Sequence, residues 1–164
     1  MNGFSAPGLA GARFGGLIVL AGSAALLGGA LAFQYVGGLA PCELCIWQRW
    51  AHGAALAGAL IALVAPGRLA GLGLAFAVAG LLAGVGIAVF HAGVEQQWWQ
   101  GLASCGGGGT SAGSAEDLLQ AIEAAPIVRC DDIAWTFLGL SMAVWNALIS
   151  AGIAALAVVA ARRR

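Results

Sequence analysis

The chain has 164 residues, of which 61% are hydrophobic and only 9% are charged, and its mean hydropathy is +0.93. A soluble domain carries roughly 25% charged residues, so this composition excludes an ordinary soluble protein and indicates a membrane protein. The formal net charge is zero, and we expect the lipid bilayer, and no nucleic acid, as a partner.

Four apolar stretches are long enough to cross a membrane, since a spanning helix needs ~20 mostly apolar residues. They predict an all-α membrane protein, a four-transmembrane-helix bundle that forms one domain over residues 14–161. The predicted spans cover residues 14–36, 46–65, 69–91 and 138–161. A tail of residues 1–13 precedes them, a short loop of residues 37–45 and a long loop of residues 92–137 lie on one side, and a basic tail of residues 162–164 follows. The first apolar run exceeds the 7–15 apolar residues typical of a cleaved signal peptide, so we interpret it as a transmembrane helix that is not cleaved off.

The arginines and the acidic residues separate across this predicted bundle. Five of the seven arginines fall on the side of the termini: Arg13, Arg68, Arg162, Arg163 and Arg164. All seven acidic residues fall on the side of the two loops. The positive-inside rule therefore predicts that both termini are cytoplasmic and that all four cysteines face outward.

Two cysteine pairs lie in these outer loops. Cys42 and Cys45 form a Cys-x-x-Cys sequence at the start of the second span, and Cys105 and Cys130 lie in the long second loop. We interpret them as thiol–disulfide redox pairs. Two structural disulfides and a zinc site remain alternatives, and four cysteines allow three connectivities. A Cys-x-x-Cys bridge closes too small a loop to stabilise much, and Cys105 and Cys130 lie too far apart for a usual zinc pair, so we expect no metal.

The residues around the first pair favour a reactive thiolate. If the second helix begins near Cys45, its free N–H groups favour a negative charge there. Arg49 lies one turn further along and is a candidate to stabilise an anion at the membrane surface. His91 ends the third span and is a candidate for proton handling, with Glu95 four residues on. For His52 we favour a structural hydrogen-bonding role.

The long second loop contains one predicted helix, over residues 114–125. Ser114 is the candidate cap, and Leu118, Leu119 and Ile122 form an apolar stripe. Such a helix lies flat on a bilayer or packs on the bundle top, and the sequence favours neither.

Two segments give the chain a resemblance to the DsbB family, the quinone-dependent oxidases of bacterial periplasms. They are PCELCIWQR, which enters the second span, and CDDIAWTFLGL, which approaches the last. The resemblance implies an inner-membrane enzyme that reoxidises a DsbA-like periplasmic carrier of thioredoxin fold and passes electrons to a membrane quinone. The quinone would be ubiquinone, with menaquinone as the alternative.

The resemblance also implies roles for the candidate residues. Cys105 would form the mixed disulfide with the carrier and Cys130 would leave, after which electrons pass to Cys42 and Cys45. Cys45 would then reduce the quinone, and Arg49 and His91 would lie beside it. The chain departs from the family form in that Trp47 replaces a tyrosine and Gln48 a glutamate.

Two rival interpretations stay open. One is the vitamin K epoxide reductase-like group, whose active Cys-x-x-Cys usually lies near the end of the chain. The other is a non-catalytic membrane scaffold whose loops are stapled by disulfides.

Overall fold

The computed structural model describes residues 8–102, 114 and 128–163. Its described part contains four long helices, which are α1 (Leu9–Tyr35), α2 (Glu43–Val64), α3 (Arg68–Glu95) and α4 (Met142–Arg162). A short hairpin of β1 (Thr136–Phe137) and β2 (Leu140–Ser141) precedes α4. The prediction of a helical membrane protein is therefore confirmed, whereas the hairpin was not predicted.

Three of these helices, α1, α3 and α4, are long and apolar enough to cross a membrane. Helix α2 has 22 residues, a sufficient length, but its first half carries Gln48, Arg49 and His52. These polar side chains lower its apolar character, so the second predicted span stays a prediction.

The last helix begins later than the predicted start of its span at residue 138. Leu138 and Gly139 both have positive φ angles, 52° and 77°, and form the two-residue turn of the hairpin, as in a type I′ turn. The Ser141 side chain then accepts a hydrogen bond from the Val144 N–H at 3.4 Å and caps α4. A serine cap satisfies an N–H group that has no partner within the helix, which explains the start at Met142.

Small residues allow the helices to approach closely at one end of the bundle. A Cβ atom added to Gly58 of α2 would lie 2.5 Å from the Ala77 nitrogen of α3, and one added to Gly73 would lie 2.6 Å from the Ala62 nitrogen. The surrounding core consists mainly of alanine with a few larger apolar residues: Val19, Ala55, Ala59, Ala62, Leu74, Ala77, Leu81, Ile153, Ala154, Ala157 and Ala161. We call this set the alanine core.

The chain order places this core and the cysteines at different ends of the helices. The first turns of α1 pack on the last turn of α4, since a Cβ on Gly11 would meet the Ala161 oxygen. Gly16 of α1 likewise faces Ala62 near the end of α2. The Cys42 and Cys45 side chains belong to the opposite end, at the start of α2. Cys105 and the predicted helix over residues 114–125, Ser114 apart, lie outside the described residues.

Candidate active site

The first turn of α2 brings the Cys42 and Cys45 sulfurs together. Cys42 is the N-cap residue, and its Sγ accepts a hydrogen bond from the Cys45 N–H at 3.3 Å. The two cysteines are not joined by a disulfide, and their sulfurs lie 2.9 Å apart. A disulfide has an S–S length of about 2.05 Å, so the sulfurs would need to approach by only roughly 0.9 Å to form the bond.

The two thiols differ in acidity. The Cys42 thiol donates a hydrogen bond to Cys45 and is buried, and both effects raise the pKa of Cys42. The same hydrogen bond is the largest effect that lowers the pKa of Cys45, which falls from the ordinary 9.0 to about 7. The Cys42 backbone and the Arg49 charge lower it further, while burial and Glu95 act in the opposite direction. Above about pH 7 the pair therefore shares one proton, held on Cys42, and Cys45 is the thiolate.

Helix α1 holds Arg49 in place near this thiolate. The Arg49 guanidinium donates hydrogen bonds to the side chain of Gln34 and, at 3.3 Å, to the backbone oxygen of Ala30. The Arg49 charge lowers the pKa of the Cys45 thiol, while its proposed role toward an anion stays a prediction. The contacts to α1 were not predicted, since no sequence pattern pairs Gln34 with Arg49.

His91 of α3 lies directly behind the cysteine pair. Its Nε2 atom is 3.6 Å from Cys42 Sγ and 3.8 Å from Glu95 Oε1. Its Nδ1 atom is 3.0 Å from the Gln48 side-chain nitrogen, and the Cys130 backbone also hydrogen-bonds the ring. The predicted closeness of Glu95 to His91 is confirmed.

Cys130, one member of the second predicted cysteine pair, lies in the same place. It is fully buried and takes part in a disulfide bond. It packs in one buried cluster with Cys42, Leu44 and Val94. The segment that leads to α4 therefore contacts the first pair, whereas the position of Cys105 lies outside the described residues.

Three donor atoms converge at this point. One ligand atom each from Cys42, Cys45 and His91 lies within 4.8 Å of the others. Two sulfurs and an imidazole nitrogen are donors that soft cations prefer, but the same sulfurs form the predicted redox pair. The expectation of no metal stays a prediction.

A cavity of about 500 Å³ opens beside Cys45. Most of its wall is apolar and aromatic, with side chains that include Leu26, Phe33, Trp135, Phe137, Trp145 and Ile149. Its polar side chains include Gln48, Arg49, His52, His91 and Asn146. A largely apolar cavity of this size with a few polar groups is typical of a small-molecule site.

Sequence reasoning missed the part that Gln48 and Asn146 play in this wall. Gln48 was noted only as a departure from the family form, and Asn146 was not noted. Both lie in otherwise apolar helices, where a polar side chain is costly and usually functional. That signal, polar residues inside apolar stretches, would have found them.

Comparison with known proteins places the chain in a family. Residues 12–160 match the family model described as "Disulfide bond formation protein DsbB". The chain is 35% identical over 146 residues to the "Disulfide bond formation protein B" of Polaromonas sp. (strain JS666), covering 82% of each chain. It is also 35% identical over 152 residues to that of Azoarcus sp. (strain BH72), covering 85% of this chain and 86% of the relative. To the protein of the same name from Shewanella sp. (strain MR-4) it is 52% identical over 50 residues, which are 30% of this chain and 29% of the relative. The chain therefore belongs to the DsbB family, and it is a membrane protein of disulfide bond formation.

Proposed function

We propose that the protein is an inner-membrane oxidoreductase that reoxidises a DsbA-like periplasmic dithiol carrier of thioredoxin fold and passes the electrons to a membrane quinone. The observation that carries the proposal is the unbridged pair of Cys42 and Cys45, whose sulfurs lie 2.9 Å apart beside the cavity that contains Arg49 and His91. Ubiquinone is the expected acceptor and menaquinone the alternative.

Electrons would enter at the second-loop pair, Cys105 and Cys130. A carrier thiolate attacks the Cys105 sulfur of a Cys105–Cys130 disulfide, and Cys130 leaves as a thiolate. The second carrier thiol then attacks the carrier sulfur of the mixed disulfide. This releases the carrier disulfide and leaves two electrons and two protons on Cys105 and Cys130. Each step needs an accessible sulfur and a leaving thiolate.

Transfer to the first pair is supported by the burial of Cys130 and Cys42 in one cluster. A thiolate of the reduced second-loop pair attacks the Cys42 sulfur of the Cys42–Cys45 disulfide, and Cys45 leaves as the thiolate. The other second-loop thiolate then attacks its neighbour in this mixed disulfide, which re-forms the Cys105–Cys130 disulfide and releases Cys42 as the second thiol of the reduced pair. Because the pKa of Cys45 is lowered to about 7, Cys45 is the better leaving group of the two. The burial of Cys130 and Cys42 in one cluster keeps the exchange away from solvent thiols.

The cavity fits a quinone in size and in the character of its wall. Aromatic and aliphatic side chains suit the ring and its apolar tail, while Arg49 supplies a fixed positive charge near Cys45. A quinone bound there would accept two electrons and two protons from the dithiol. Arg49 would stabilise negative charge that develops next to the thiolate, and His91, with Glu95, would handle a proton at its Nε2 atom.

The distribution of arginines supports an orientation with cytoplasmic termini and periplasmic cysteines. Arg13, Arg68 and Arg162 belong to the end where α1 begins, α3 begins and α4 ends, opposite to Cys42. Arginine-rich ends stay cytoplasmic. In this orientation the cysteine pairs face the oxidising compartment.

The test is turnover of the purified protein in detergent. A reduced thioredoxin-fold dithiol protein is mixed with ubiquinone, or menaquinone in a parallel series, and quinone reduction is followed for wild type and Cys45→Ser. We expect turnover that is lost in Cys45→Ser, because the thiol that meets the cavity is gone. Turnover that persists in this variant would contradict the role of Cys45.

A wild type that reduces neither quinone, although it is folded and its bridges are intact, would favour the stapled scaffold. Thiol trapping separates the two, since an enzyme forms a mixed disulfide with the carrier and a scaffold keeps stable internal bridges. Cys105→Ser is the matched variant for the trapping experiment, because it removes the sulfur proposed to bond to the carrier.

A further inference from the structure

A continuous chain of buried polar side chains runs through all four helices behind the cysteine pair. Its members, in order, are Ser23, His52, Asn146, Gln48, His91, Cys42 and Cys45. The successive donor–acceptor distances are 3.4, 2.9, 2.7, 3.0, 3.6 and 2.9 Å. The histidines and Gln48 are each less than one-tenth exposed, Asn146 and Cys45 are half-buried, and these side chains line the cavity described above.

The chemistry of the atoms fixes the direction of the first links. Asn146 Oδ1 only accepts, so His52 must donate to it from Nε2, and Ser150 donates to the same oxygen at 3.2 Å. Neutral His52 then has a free lone pair on Nδ1, which accepts from the Ser23 hydroxyl. The other end of the Asn146 amide, Nδ2, donates to Gln48 Oε1.

The remaining links follow in the same direction. Gln48 presents its NH₂ group to His91 Nδ1, so this nitrogen accepts and neutral His91 carries its proton on Nε2. A protonated Nδ1 would face another donor. The Nε2–H group faces Cys42 Sγ at 3.6 Å, with Glu95 Oε1 at 3.8 Å as a second acceptor, and the Cys42 thiol donates to Cys45. Every hydrogen bond from Ser23 to Cys45 therefore donates the same way.

We propose that His52 and Asn146 are positioning residues: through Gln48 they hold His91 as the neutral Nε2–H tautomer, and the aligned chain stabilises the single negative charge that Cys42 and Cys45 share. Hydrogen bonds that point one way polarise one another, so the last donor, Cys42, is strengthened. The inference rests on the proposed function in one respect, because the proposed function makes Cys45 the thiol that reacts with the quinone.

The cost of burying these groups supports a specific role. A polar side chain in an apolar helix is costly unless it is hydrogen-bonded. Among residues 8–102, 114 and 128–163, no buried side-chain nitrogen or oxygen lacks a partner. Asn146 satisfies His52 and Gln48 at once, which an apolar residue at position 146 would leave without partners.

Other charged groups also act on Cys45 and must stay constant in a test. Arg49 of α2 and Glu95 of α3 affect the thiol directly. Arg129 and Asp132 of the segment before α4 line the same cavity. The variants below change none of these side chains.

The tautomer is tested first, by ¹⁵N NMR of histidine-labelled protein in micelles. The chain has only two histidines, and a His91→Gln sample assigns their signals. We expect His91 to be protonated on Nε2 and bare on Nδ1. In Gln48→Glu, measured at a pH where the new carboxyl group is ionised, position 48 has two acceptors and no donor, so Nδ1 of His91 becomes protonated. A bare Nδ1 in Gln48→Glu, or a protonated Nδ1 in wild type, would overturn the inference.

The effect on Cys45 is tested with Asn146→Leu. The rate of alkylation at Cys45 in the reduced protein is measured against pH, and the site is identified by peptide mapping. Loss of the aligned chain should move the midpoint upward by roughly half a pH unit. Ser150→Ala is the matched control, because it removes a donor to Asn146 that is not a link between Ser23 and Cys45, and it should move the midpoint by much less than Asn146→Leu does.

The outcomes separate this inference from the proposed function. A wild-type midpoint in folded Asn146→Leu, or an equal shift in Ser150→Ala, would overturn the positioning role even if quinone turnover is normal. The expected shift without any quinone turnover would support the chain and contradict the proposed function. If Asn146→Leu does not fold, the NMR comparison of wild type with Gln48→Glu still decides.

Discussion

The two ends of the same four helices are built on opposite principles. In the alanine core, small side chains let the backbones approach until no room remains for a Cβ at Gly58 or Gly73. At the cysteine end the helices enclose a cavity and a chain of buried polar groups. The tightly packed end fixes the positions of the helix axes relative to one another. As a result, the polar side chains at the open end stay at fixed distances from one another. The comparison teaches that the tight packing and the candidate reactive groups lie at different positions along the same helices, and not on different helices.

The largest effect is expected from breaking the packed end. Gly58→Leu would place a side chain where a Cβ alone lies 2.5 Å from the Ala77 backbone nitrogen. Overpacking of this kind costs about 1–3 kcal/mol or more, so we expect a clear loss of thermal stability in detergent. Gly53→Leu is the matched control on the same helix, because nothing lies within 4 Å of the added Cβ. Equal melting temperatures for the two variants would contradict the close approach of α2 and α3.

The next effect is on the acidity of Cys45 at the open end. Cys42→Ala removes the hydrogen bond that lowers the pKa of Cys45 most. The pKa should therefore rise from about 7 toward the ordinary 9.0, by roughly one unit or more. Because the thiolate is the reactive form, alkylation at pH 7 should slow and recover at higher pH.

Cys42→Ser is the control for this measurement. A serine hydroxyl still donates a hydrogen bond to Cys45, so part of the lowered pKa should return. A midpoint that is the same in Cys42→Ala and in wild type would show that Cys42 does not hold the shared proton.

A smaller effect in the same direction is expected from Arg49. Arg49→Met removes a charge that lowers the pKa of Cys45, and we expect a rise of roughly half a unit. Arg49→Lys keeps the charge while it changes the contacts to Gln34 and Ala30, so its midpoint should stay nearer to wild type. The alkylation profile of Cys45 measures both. A larger rise in the Cys45 pKa for Arg49→Met than for Cys42→Ala would contradict the conclusion that the Cys42 hydrogen bond lowers this pKa more than the Arg49 charge does.

The sequence was sufficient for the long helices, and it named candidate residues that the structure brings together at one end of them. Apolar runs of spanning length predict long helices wherever they occur, and a Cys-x-x-Cys at a helix start predicts a reactive pair from local geometry alone. His91 and Arg49 were predicted because each lies one helical turn from another candidate residue. His91 is one turn from Glu95, and Arg49 is one turn from Cys45. Such inferences need only helical spacing.

What the sequence did not predict depends on contacts between helices. The link from His52 to Gln48 runs through Asn146, which is 94 positions away from His52, and no local pattern pairs them. The hairpin before α4 was also missed, because residues 138–141 are as apolar as the helix that follows. Its turn depends on positive φ angles at Leu138 and Gly139, and the leucine gives no signal for one.

The smallest expected change in the pKa of Cys45 comes from Glu95 and is a decrease. Because its sign is opposite to that of the other variants, it is the sharpest test of the electrostatics at Cys45. Glu95 raises the pKa of Cys45, so Glu95→Gln should lower it by roughly 0.3 units. The sign follows because removing a nearby negative charge favours the thiolate, and the alkylation midpoint must move to lower pH. Glutamine keeps an acceptor for the Ser141 hydroxyl, so the start of α4 should be preserved, which the melting temperature checks. A midpoint that rises instead would mean that Glu95 acts on Cys45 through His91 rather than through its own charge. The polar groups at the open end would then respond to one another as a unit.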